Sequence, residues 1–251
     1  MKIFAANWKL FKSPKETREF FSLWGEAAQA SLGGSKNEVV FFPSAISLEA
    51  AGSAIEGLKT KYKLSYNLRF GVQNAYFQAQ GAFTGENSAA VVKELGGKYV
   101  LIGHSERRQL FAEKNELLAD KVSFTQGLGL IPMLCIGETL QERDSEKTYD
   151  VLKAQLSEGL SKADQAKSLV IAYEPVWAIG TGKVATPEQV QETHKDVFEI
   201  LKVLGFTAPI LYGGSVKPDN AAGLIQLPYV DGFLVGGASL EVASFQKICS
   251  V

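Results

Sequence analysis

The sequence predicts an α/β fold in which a single domain, residues 1–251, forms a closed (β/α)₈ barrel of eight parallel strands. Eight short apolar or β-branched runs recur along the chain, and a longer stretch of helical character follows each of them. Most of these runs are almost continuously apolar, which is typical of strands buried on both faces of a parallel sheet. Eight units of roughly 30 residues each, the span of one such unit, account for the 251 residues. We therefore favour the barrel over an open doubly wound sheet.

The predicted strands extend over the whole chain, and no linker divides it. In chain order they are Lys2–Asn7, Glu38–Phe42, Arg69–Gln73, Tyr99–Ile102, Ile131–Ile136, Leu169–Tyr173, Pro209–Tyr212 and Val230–Val235. Two of the helices between them begin with a recognisable cap. Ser13-Pro14-Lys15-Glu16 supplies a hydroxyl at the N-cap, a proline at the first helical position and a glutamate that bonds back to the cap amide. Thr186-Pro187-Glu188-Gln189 repeats this chemistry, and apolar residues follow it at helical spacing.

Composition excludes several functional classes. The chain has 26 Lys and Arg against 27 Asp and Glu, a formal net charge of −1, whereas nucleic-acid binders and membrane-surface proteins carry basic patches. No uncharged apolar run reaches the ~18 residues that a membrane span needs, and Met1–Lys12 is too polar for a signal-peptide core. We therefore expect a cytoplasmic protein with no membrane or nucleic-acid partner.

The cysteines and histidines give no sign of a metal site. Cys135 and Cys249 form no CxxC pair, and His104 and His194 belong to no HExxH pattern. Both cysteines end apolar segments, so we expect them to fill the core. His194 lies on the apolar side of its helix, where a satisfied, half-buried histidine is the better interpretation.

Polar residues follow several predicted strands at the point where each strand ends. Asn7 ends the first strand and Lys9 follows it, and His104 belongs to a dense polar run after the fourth. Taken alone, Lys9 is more simply explained as a solvated side chain. A helix that starts near His104 directs its amides at the ring and disfavours the imidazolium. Pro175 ends the sixth strand directly after Glu174. In a parallel barrel all these ends meet at one face, where active sites are built.

The loops after the last three predicted strands indicate a ligand. Pro175–Lys183 mixes apolar and glycine residues, and such a loop is suited to close over a ligand. As an ordinary surface loop it would leave Val176, Trp177 and Ile179 facing water. Paired glycines follow the last two strands, and bare amides at helix N-termini bind phosphate without a cation. The sequences are Tyr212-Gly213-Gly214-Ser215-Val216 and Val235-Gly236-Gly237-Ala238. Two such pairs match the phosphate site that recurs in this barrel, so a sugar phosphate is the leading ligand.

Together these segments resemble the triosephosphate isomerase family over essentially the whole chain. The resemblance is carried, in the family's order, by Asn7-Trp8-Lys9, Gly71-Val72-Gln73-Asn74, Gly81-Ala82-Phe83-Thr84-Gly85-Glu86, Ile102-Gly103-His104-Ser105-Glu106-Arg107-Arg108, Cys135-Ile136-Gly137-Glu138, Tyr173–Lys183, Tyr212–Val216 and Gly232–Ala238. It implies a TIM barrel and a glycolytic and gluconeogenic isomerase. The implied reaction interconverts dihydroxyacetone phosphate and D-glyceraldehyde 3-phosphate through an enediol(ate), with no metal and no cofactor.

The resemblance also implies a role for each site residue. Glu174 would be the base, and His104, kept neutral, would donate a hydrogen bond to the carbonyl and move protons between the oxygens. Lys9 would offset the enediolate charge, with Asn7 as a further donor. The other implied residues are Ser105 and Glu106 beside these groups, the phosphate ligands Gly180, Ser215, Gly236 and Gly237, and the lid residues Pro175, Val176, Trp177, Ala178, Ile179, Gly180, Thr181, Gly182 and Lys183.

Members of the family are homodimers, and the loop Gln73–Glu86 resembles the one that inserts into the neighbouring subunit. Thr84 of one protomer would then approach Asn7 and His104 of the other. Asn87 and the polar stretch Lys59–Leu68 depart from the family's pattern, which affects expectations about the interface and not about the chemistry.

Two other functions stay open at this point. One is a phosphate-binding TIM barrel that acts on a different sugar phosphate, because the paired glycines are common to such barrels. The other is a catalytically silent barrel that only binds ligands or partners. The combination of Lys9, His104 and Glu174 favours proton transfer next to a carbonyl over both.

Overall fold

The strands of the barrel are described by a computed structural model that covers residues 1–32, 35–62, 64, 66–180 and 183–251. Within these residues eight strands pair in parallel, each with the next along the chain, and the last pairs with the first. The strands are β1 Ile3–Asn7, β2 Glu38–Phe42, β3 Asn67–Val72, β4 Tyr99–Ile102, β5 Ile131–Ile136, β6 Val170–Tyr173, β7 Ile210–Tyr212 and β8 Gly232–Val235. The predicted (β/α)₈ barrel is confirmed.

The strand bounds agree with the predicted ones to within two residues. β2, β4 and β5 begin and end where the apolar runs do. β3 begins at Asn67 rather than Arg69, since Asn67 and Leu68 pair with Glu38 and Val39 of β2. The Arg69 guanidinium lies 3.9 Å from the Glu38 carboxylate of that strand. β8 begins at Gly232 rather than Val230.

The helices lie outside the barrel and connect successive strands. In the described part of the chain they are α1 Pro14–Ser31, α2 Leu48–Lys61, α3 Ala89–Glu94, α4 Ser105–Leu110, α5 Asn115–Gly127, α6 Leu140–Asp144, α7 Thr148–Gly159, α8 Pro187–Val203, α9 Pro218–Leu224 and α10 Val242–Cys249. Three single 3₁₀ turns, Ala45–Ser47, Val176–Ala178 and Gly237–Ser239, follow strand ends. None of the described helices combines the length and the apolar character that crossing a bilayer requires.

Both predicted capping boxes are present. The Glu16 amide donates to the Ser13 hydroxyl (3.3 Å) while the Ser13 amide donates to the Glu16 carboxylate (2.8 Å). The same reciprocal pair joins Thr186 and Gln189 at the start of α8. Each box satisfies two backbone donors that a helix N-terminus otherwise leaves open.

The core consists of two apolar layers separated by the strands. Alternate strand residues fill the barrel interior, among them Met133 and Cys135 of β5, and the others pack against the helices. Cys135 lies in the inner layer and Cys249 in the outer one, and both are fully buried, which confirms them as core residues. Because every strand runs the same way, all eight carboxyl ends meet at one rim of the barrel.

Candidate active site

At the carboxyl rim a cavity of about 370 Å³ brings together side chains and amides from five strand ends. Asn7 and Lys9 enter it from β1, His104 from β4 and Glu174 from β6. Gly180, Ser215, Gly236 and Gly237 line the opposite part. Residues that are up to 230 positions apart in the chain thus share one cavity, because the parallel barrel places every strand end at the same rim.

Glu174 and His104 face each other at the bottom of this cavity. Glu174 Oε1 lies 3.0 Å from His104 Nε2, and the Ser105 amide donates to Glu174 Oε2 at 3.0 Å. The Glu174 backbone is fixed as well, since its amide donates to the carbonyl of Ile136 in β5. The two residues are only 2% and 5% exposed. Such a buried acid–base pair, held on strand ends, is the arrangement that proton transfer requires.

Hydrogen bonds fix the tautomer of His104. The Glu106 amide, in the first turn of α4, donates to His104 Nδ1 at 3.2 Å. Because Nδ1 accepts, the ring proton is on Nε2, from where it is donated to Glu174. Helix α4 therefore begins with an amide directed at the ring, as predicted, but the expectation that the imidazolium is disfavoured is wrong for the ligand-free protein, because the Glu174 carboxylate outweighs burial and raises the pKa of His104.

Burial and the Glu174 charge act in opposite directions on this ring. Burial lowers the pKa of His104, but the adjacent Glu174 carboxylate outweighs it and holds the pKa above its ordinary value in the ligand-free protein. For Glu174, burial raises the pKa, yet His104 and the Ser105 amide bring it below the ordinary value. The ring is neutral with its proton on Nε2 above the raised pKa, and the two groups titrate as one coupled unit.

Hydrogen bonds to the backbone of Lys9 and an ion pair of its side chain hold this residue in place. It has a positive φ of 49°, which is uncommon for a residue with a side chain. The Lys9 backbone amide donates to Asn7 Oδ1 (3.0 Å), and the Lys9 carbonyl accepts from the side-chain Nε2 of Gln73 (2.8 Å). The ammonium group lies 2.6 Å from the Glu106 carboxylate. Asn7 and Glu106 thus contact Lys9 directly. Gln73, directly after β3, also bonds to Lys9, although it was not predicted as a site residue.

The glycine-rich part of the cavity also contains a second cation. Lys217 lines it together with Gly213 and Gly214, and sequence reasoning missed this residue because it lies beyond the paired glycines. The 3₁₀ turn Gly237–Ser239 begins directly after β8. Gly236 and Gly237 at its start line the cavity, and unpaired backbone amides at the start of a helical turn favour an anion.

The predicted lid is described from Pro175 to Gly180 and at Lys183, whereas Thr181 and Gly182 lie outside the described residues. Its first part is anchored on Glu138, a fully buried carboxylate. Glu138 Oε1 accepts from Trp177 Nε1 (2.9 Å) and from Arg143 (3.0 Å), and its carbonyl accepts from the Val176 amide. Val176, Trp177 and Ile179 are half-buried, so the segment is not an ordinary surface loop that leaves its apolar side chains facing water.

His194 differs from its interpretation in the sequence. The ring is fully buried rather than half-buried, and its Nδ1 lies 3.0 Å from the Tyr229 carbonyl. Its Nε2 has no hydrogen-bond partner among the described residues, so the histidine is not satisfied. Burial lowers the pKa of His194 to about 4. The depth arises because the ring packs edge-on against Tyr173 of β6.

A second and larger depression of about 600 Å³ adjoins the cavity and reaches Asn7 and His104 from the other side. Apolar side chains at and around it stand out from the loops after β1, β2, β3 and β4. They are Leu10, Phe11, Ile46, Phe83, Leu110 and Phe111, all exposed in the single chain. Among the described residues, no group of three or more His, Cys, Asp or Glu is arranged to hold a metal ion.

Comparison with known proteins gives a consistent result. A family model for triosephosphate isomerase matches residues 2–251. A triosephosphate isomerase from Bdellovibrio bacteriovorus is 71% identical over 251 residues, which cover 100% of this chain and 99% of that protein. Triosephosphate isomerases from Syntrophotalea carbinolica and Carboxydothermus hydrogenoformans are 44% and 43% identical, each over 97% of this chain and 95% and 96% of their own lengths.

Proposed function

The chain belongs to the triosephosphate isomerase family, and on this premise we propose how the residues of the rim cavity divide the reaction among them. The reaction is the interconversion of dihydroxyacetone phosphate and D-glyceraldehyde 3-phosphate, a step of glycolysis, and the enzyme is an intramolecular oxidoreductase. The substrate is a small molecule. Family membership favours this activity over the other sugar phosphates and the silent barrel that the sequence left open.

Glu174 is the base that removes a proton from the hydroxymethyl carbon of dihydroxyacetone phosphate and returns it to the former carbonyl carbon. His104 donates its Nε2 proton to the carbonyl oxygen and moves protons between the two oxygens. In the ligand-free protein this Nε2–H is donated to Glu174. The substrate oxygen therefore takes the place of the carboxylate as acceptor, which frees Glu174 to face the carbon.

Lys9 and Asn7 stabilise the negative charge of the enediolate. The ammonium group of Lys9 is the charged donor, and Asn7 both lines the cavity and holds the Lys9 backbone. Ser105 and Glu106 act through these groups, since the Ser105 amide holds Glu174 and the Glu106 amide sets the His104 tautomer.

The phosphate is bound by the amides of Gly180, Ser215, Gly236 and Gly237 at the other end of the cavity. The lid Pro175–Lys183 closes over it, because an enediolate phosphate exposed to water loses its phosphate, and closure excludes that water. No metal and no cofactor takes part in these steps.

The observation that carries these assignments is the 3.0 Å contact between Glu174 and His104 at the bottom of the cavity. Glu174→Asp tests it in a coupled assay with glyceraldehyde 3-phosphate. The shorter side chain withdraws the carboxylate by about 1.5 Å, and a misplacement of about 1 Å can cost ~10²-fold in rate. We expect kcat to fall about 10²-fold with KM changed less than about threefold.

Glu38→Asp is the matched control. Glu38 is also a buried glutamate, but it begins β2 at the opposite rim, so kcat should stay at the wild-type value. Full turnover by the Glu174 variant would overturn the assignment of the base. A folded wild-type protein that fails to isomerise glyceraldehyde 3-phosphate would instead overturn the activity itself and favour the binding barrel.

We further propose that the enzyme is a homodimer whose loop Gln73–Glu86 enters the larger depression of the partner. Support comes from the exposed apolar side chains Leu10, Phe11, Leu110 and Phe111, which line this depression in the single chain, since clustered exposed apolar side chains mark interaction sites. Thr84 stands exposed at the loop tip, where it would reach Asn7 and His104 of the other protomer. Asn87 donates to the Asn74 carbonyl within the loop, which gives this departure from the family pattern a local role.

The oligomeric state can be measured by analytical ultracentrifugation. Ile46→Asp places a charge on an apolar side chain that is 81% exposed in the single chain and adjoins Ala45, which lines the depression, so the dimer should dissociate. Val203→Asp is the matched control, since Val203 is 84% exposed but lies at the end of α8. A wild-type monomer, or a dimer that both substitutions leave intact, would contradict this interface.

The glycolytic role also supports the cytoplasmic location that the sequence predicts.

A further inference from the structure

Arg108 bonds to the backbone around the active site without lining the cavity. It lies in α4, one helical turn after His104, and its amide donates to the His104 carbonyl at 3.1 Å. Its side chain turns back toward the barrel. There Nε donates to the Gly103 carbonyl (2.8 Å) and Nη2 to the Cys135 carbonyl of β5 (2.9 Å).

These two carbonyls lie where β4 leaves the sheet. Ile102, the last residue of β4, pairs with Leu134, so Cys135 extends one residue beyond its neighbour on that side. The guanidinium supplies a donor at this gap. A planar guanidinium donates from separate nitrogens in a fixed geometry, whereas the three donors of an ammonium group sit on one nitrogen and are not held in a plane.

The position of the guanidinium is itself fixed from the far side. Its Nη1 donates to Asn115 Oδ1 at 2.6 Å, and Asn115, the first residue of α5, donates in turn to Glu158 of α7 at 2.9 Å. Gly103 is enclosed as well. It has a φ of 68°, and a Cβ at this position would come within 2.5 Å of Leu118 in α5. The turn that presents His104 is therefore confined by packing on one side and by Arg108 on the other.

The same segment of β5 also holds the base. Ile136, directly after Cys135, accepts the hydrogen bond from the Glu174 amide at 2.7 Å. Arg108 thus connects the turn before His104 to the Cys135 carbonyl, and the Glu174 amide bonds to the Ile136 carbonyl. Two adjacent residues of β5 connect the backbones that carry the acid and the base.

From this connection we propose that Arg108 is a positioning residue for the isomerisation, which sets the distance between His104 and Glu174 through the end of β5. The inference rests on the roles proposed above for those two residues. Loss of the guanidinium leaves the Gly103 turn free to shift relative to β5, and His104 Nε2 then meets the substrate carbonyl in poorer geometry. The phosphate contacts come from other loops and are not affected.

Arg108→Lys tests this role because it keeps the positive charge and removes the double contact. We expect kcat for glyceraldehyde 3-phosphate to fall about 10- to 100-fold, as for other small misplacements of a catalytic group, with KM changed less than about threefold. The infrared band of the carbonyl of bound dihydroxyacetone phosphate should move toward its frequency in water, since the hydrogen bond from His104 weakens. Asn115→Ala keeps the guanidinium but loses its anchor, and should change both readouts in the same direction by a smaller amount.

Gln126→Ala is the matched control for a loss of structure alone. Gln126 is a buried side chain on α5 that exchanges two hydrogen bonds with the backbone of Asp164, before the start of β6 and far from the cavity. The Gln126→Ala substitution should lower the melting temperature, while kcat and the carbonyl band stay at the wild-type values.

An Arg108→Lys enzyme with wild-type kcat and carbonyl band would overturn the proposal, as would a loss of activity that only follows the fraction of folded protein. If Arg108→Lys does not fold, Asn115→Ala decides, and unchanged kcat and band in that variant overturn the proposal. Wild-type protein without isomerase activity would show that the proposed function fails, whereas an active wild type with an unaffected Arg108 variant removes only this inference.

Discussion

Acidification should destabilise the fold through His194, whose ring is buried in its neutral form. The pKa of this histidine is about 4 in the folded protein against 6.5 ordinarily. Between these two values the unfolded chain binds the additional proton and the folded chain does not, so stability falls as the pH falls. A difference of about 2.5 units corresponds to about 3 kcal/mol in total, of which about 2 kcal/mol is lost between pH 7 and pH 5. The physical cause is the unpartnered Nε2, because a proton added there is a buried charge without a hydrogen bond.

His194→Asn isolates this contribution, since asparagine can still donate to the Tyr229 carbonyl and does not titrate. Urea unfolding at pH 5, 6 and 7, at one protein concentration, gives the free energy of unfolding of each protein. The difference between wild type and variant should change by about 2 kcal/mol from pH 7 to pH 5. Val197→Ala, a buried change on the same helix without a titrating group, controls for lost packing and should run parallel to wild type. Parallel curves for wild type and His194→Asn would refute the reasoning.

Three other outcomes are expected. Ser13→Ala removes one half of a capping box and should lower the free energy of unfolding by about 1 kcal/mol, measured in urea at pH 7; an unchanged value would mean that the cap is not formed in solution. Tyr212→Phe removes a buried hydroxyl without a described partner and should leave stability within about 0.5 kcal/mol, while a larger loss would reveal a hydrogen bond to that oxygen. Dialysis against a chelator should leave the isomerase activity intact, and loss of activity would contradict a metal-free mechanism.

The strands were predictable because burial on both faces leaves a local trace in the sequence. β4 and β5 are continuous apolar runs, as is β2 after Glu38, and their predicted bounds are those of the structure. β3 begins earlier than predicted, at Asn67, because Asn67 and Leu68 pair with Glu38 and Val39 of β2. Because these pairing partners are distant in the chain, no local sequence pattern predicts the pairing.

The main side chains of the candidate site were predictable, whereas Lys217 and the contacts within the site were not. Asn7 ends β1, and Lys9, His104 and Glu174 follow strands, so the parallel barrel alone brings them together. Gln73 and Glu138 also follow strands, but their function is to bond to the backbone of Lys9 and to the indole of Trp177. These contacts depend on the paths of two loops, which the spacing of residues does not determine. The burial of His194 was likewise only partly predictable. Helical spacing predicts which face of α8 is buried, but not how deep the His194 ring lies behind Tyr173 and Tyr212.

A chain of net charge −1 can hold a phosphate ester because the attraction is local. The amides after β7 and β8 carry partial charges that do not enter the count of ionisable residues, and Lys9 and Lys217 add two cations to the same cavity. The Lys9 ammonium is already paired with Glu106, but the side chains of this pair are 26% and 44% exposed. A pair so open to water contributes only about 0–1 kcal/mol. The pair therefore keeps Lys9 at the mouth of the cavity without binding it firmly, so in the mechanism proposed above the ammonium group can leave Glu106 for the enediolate.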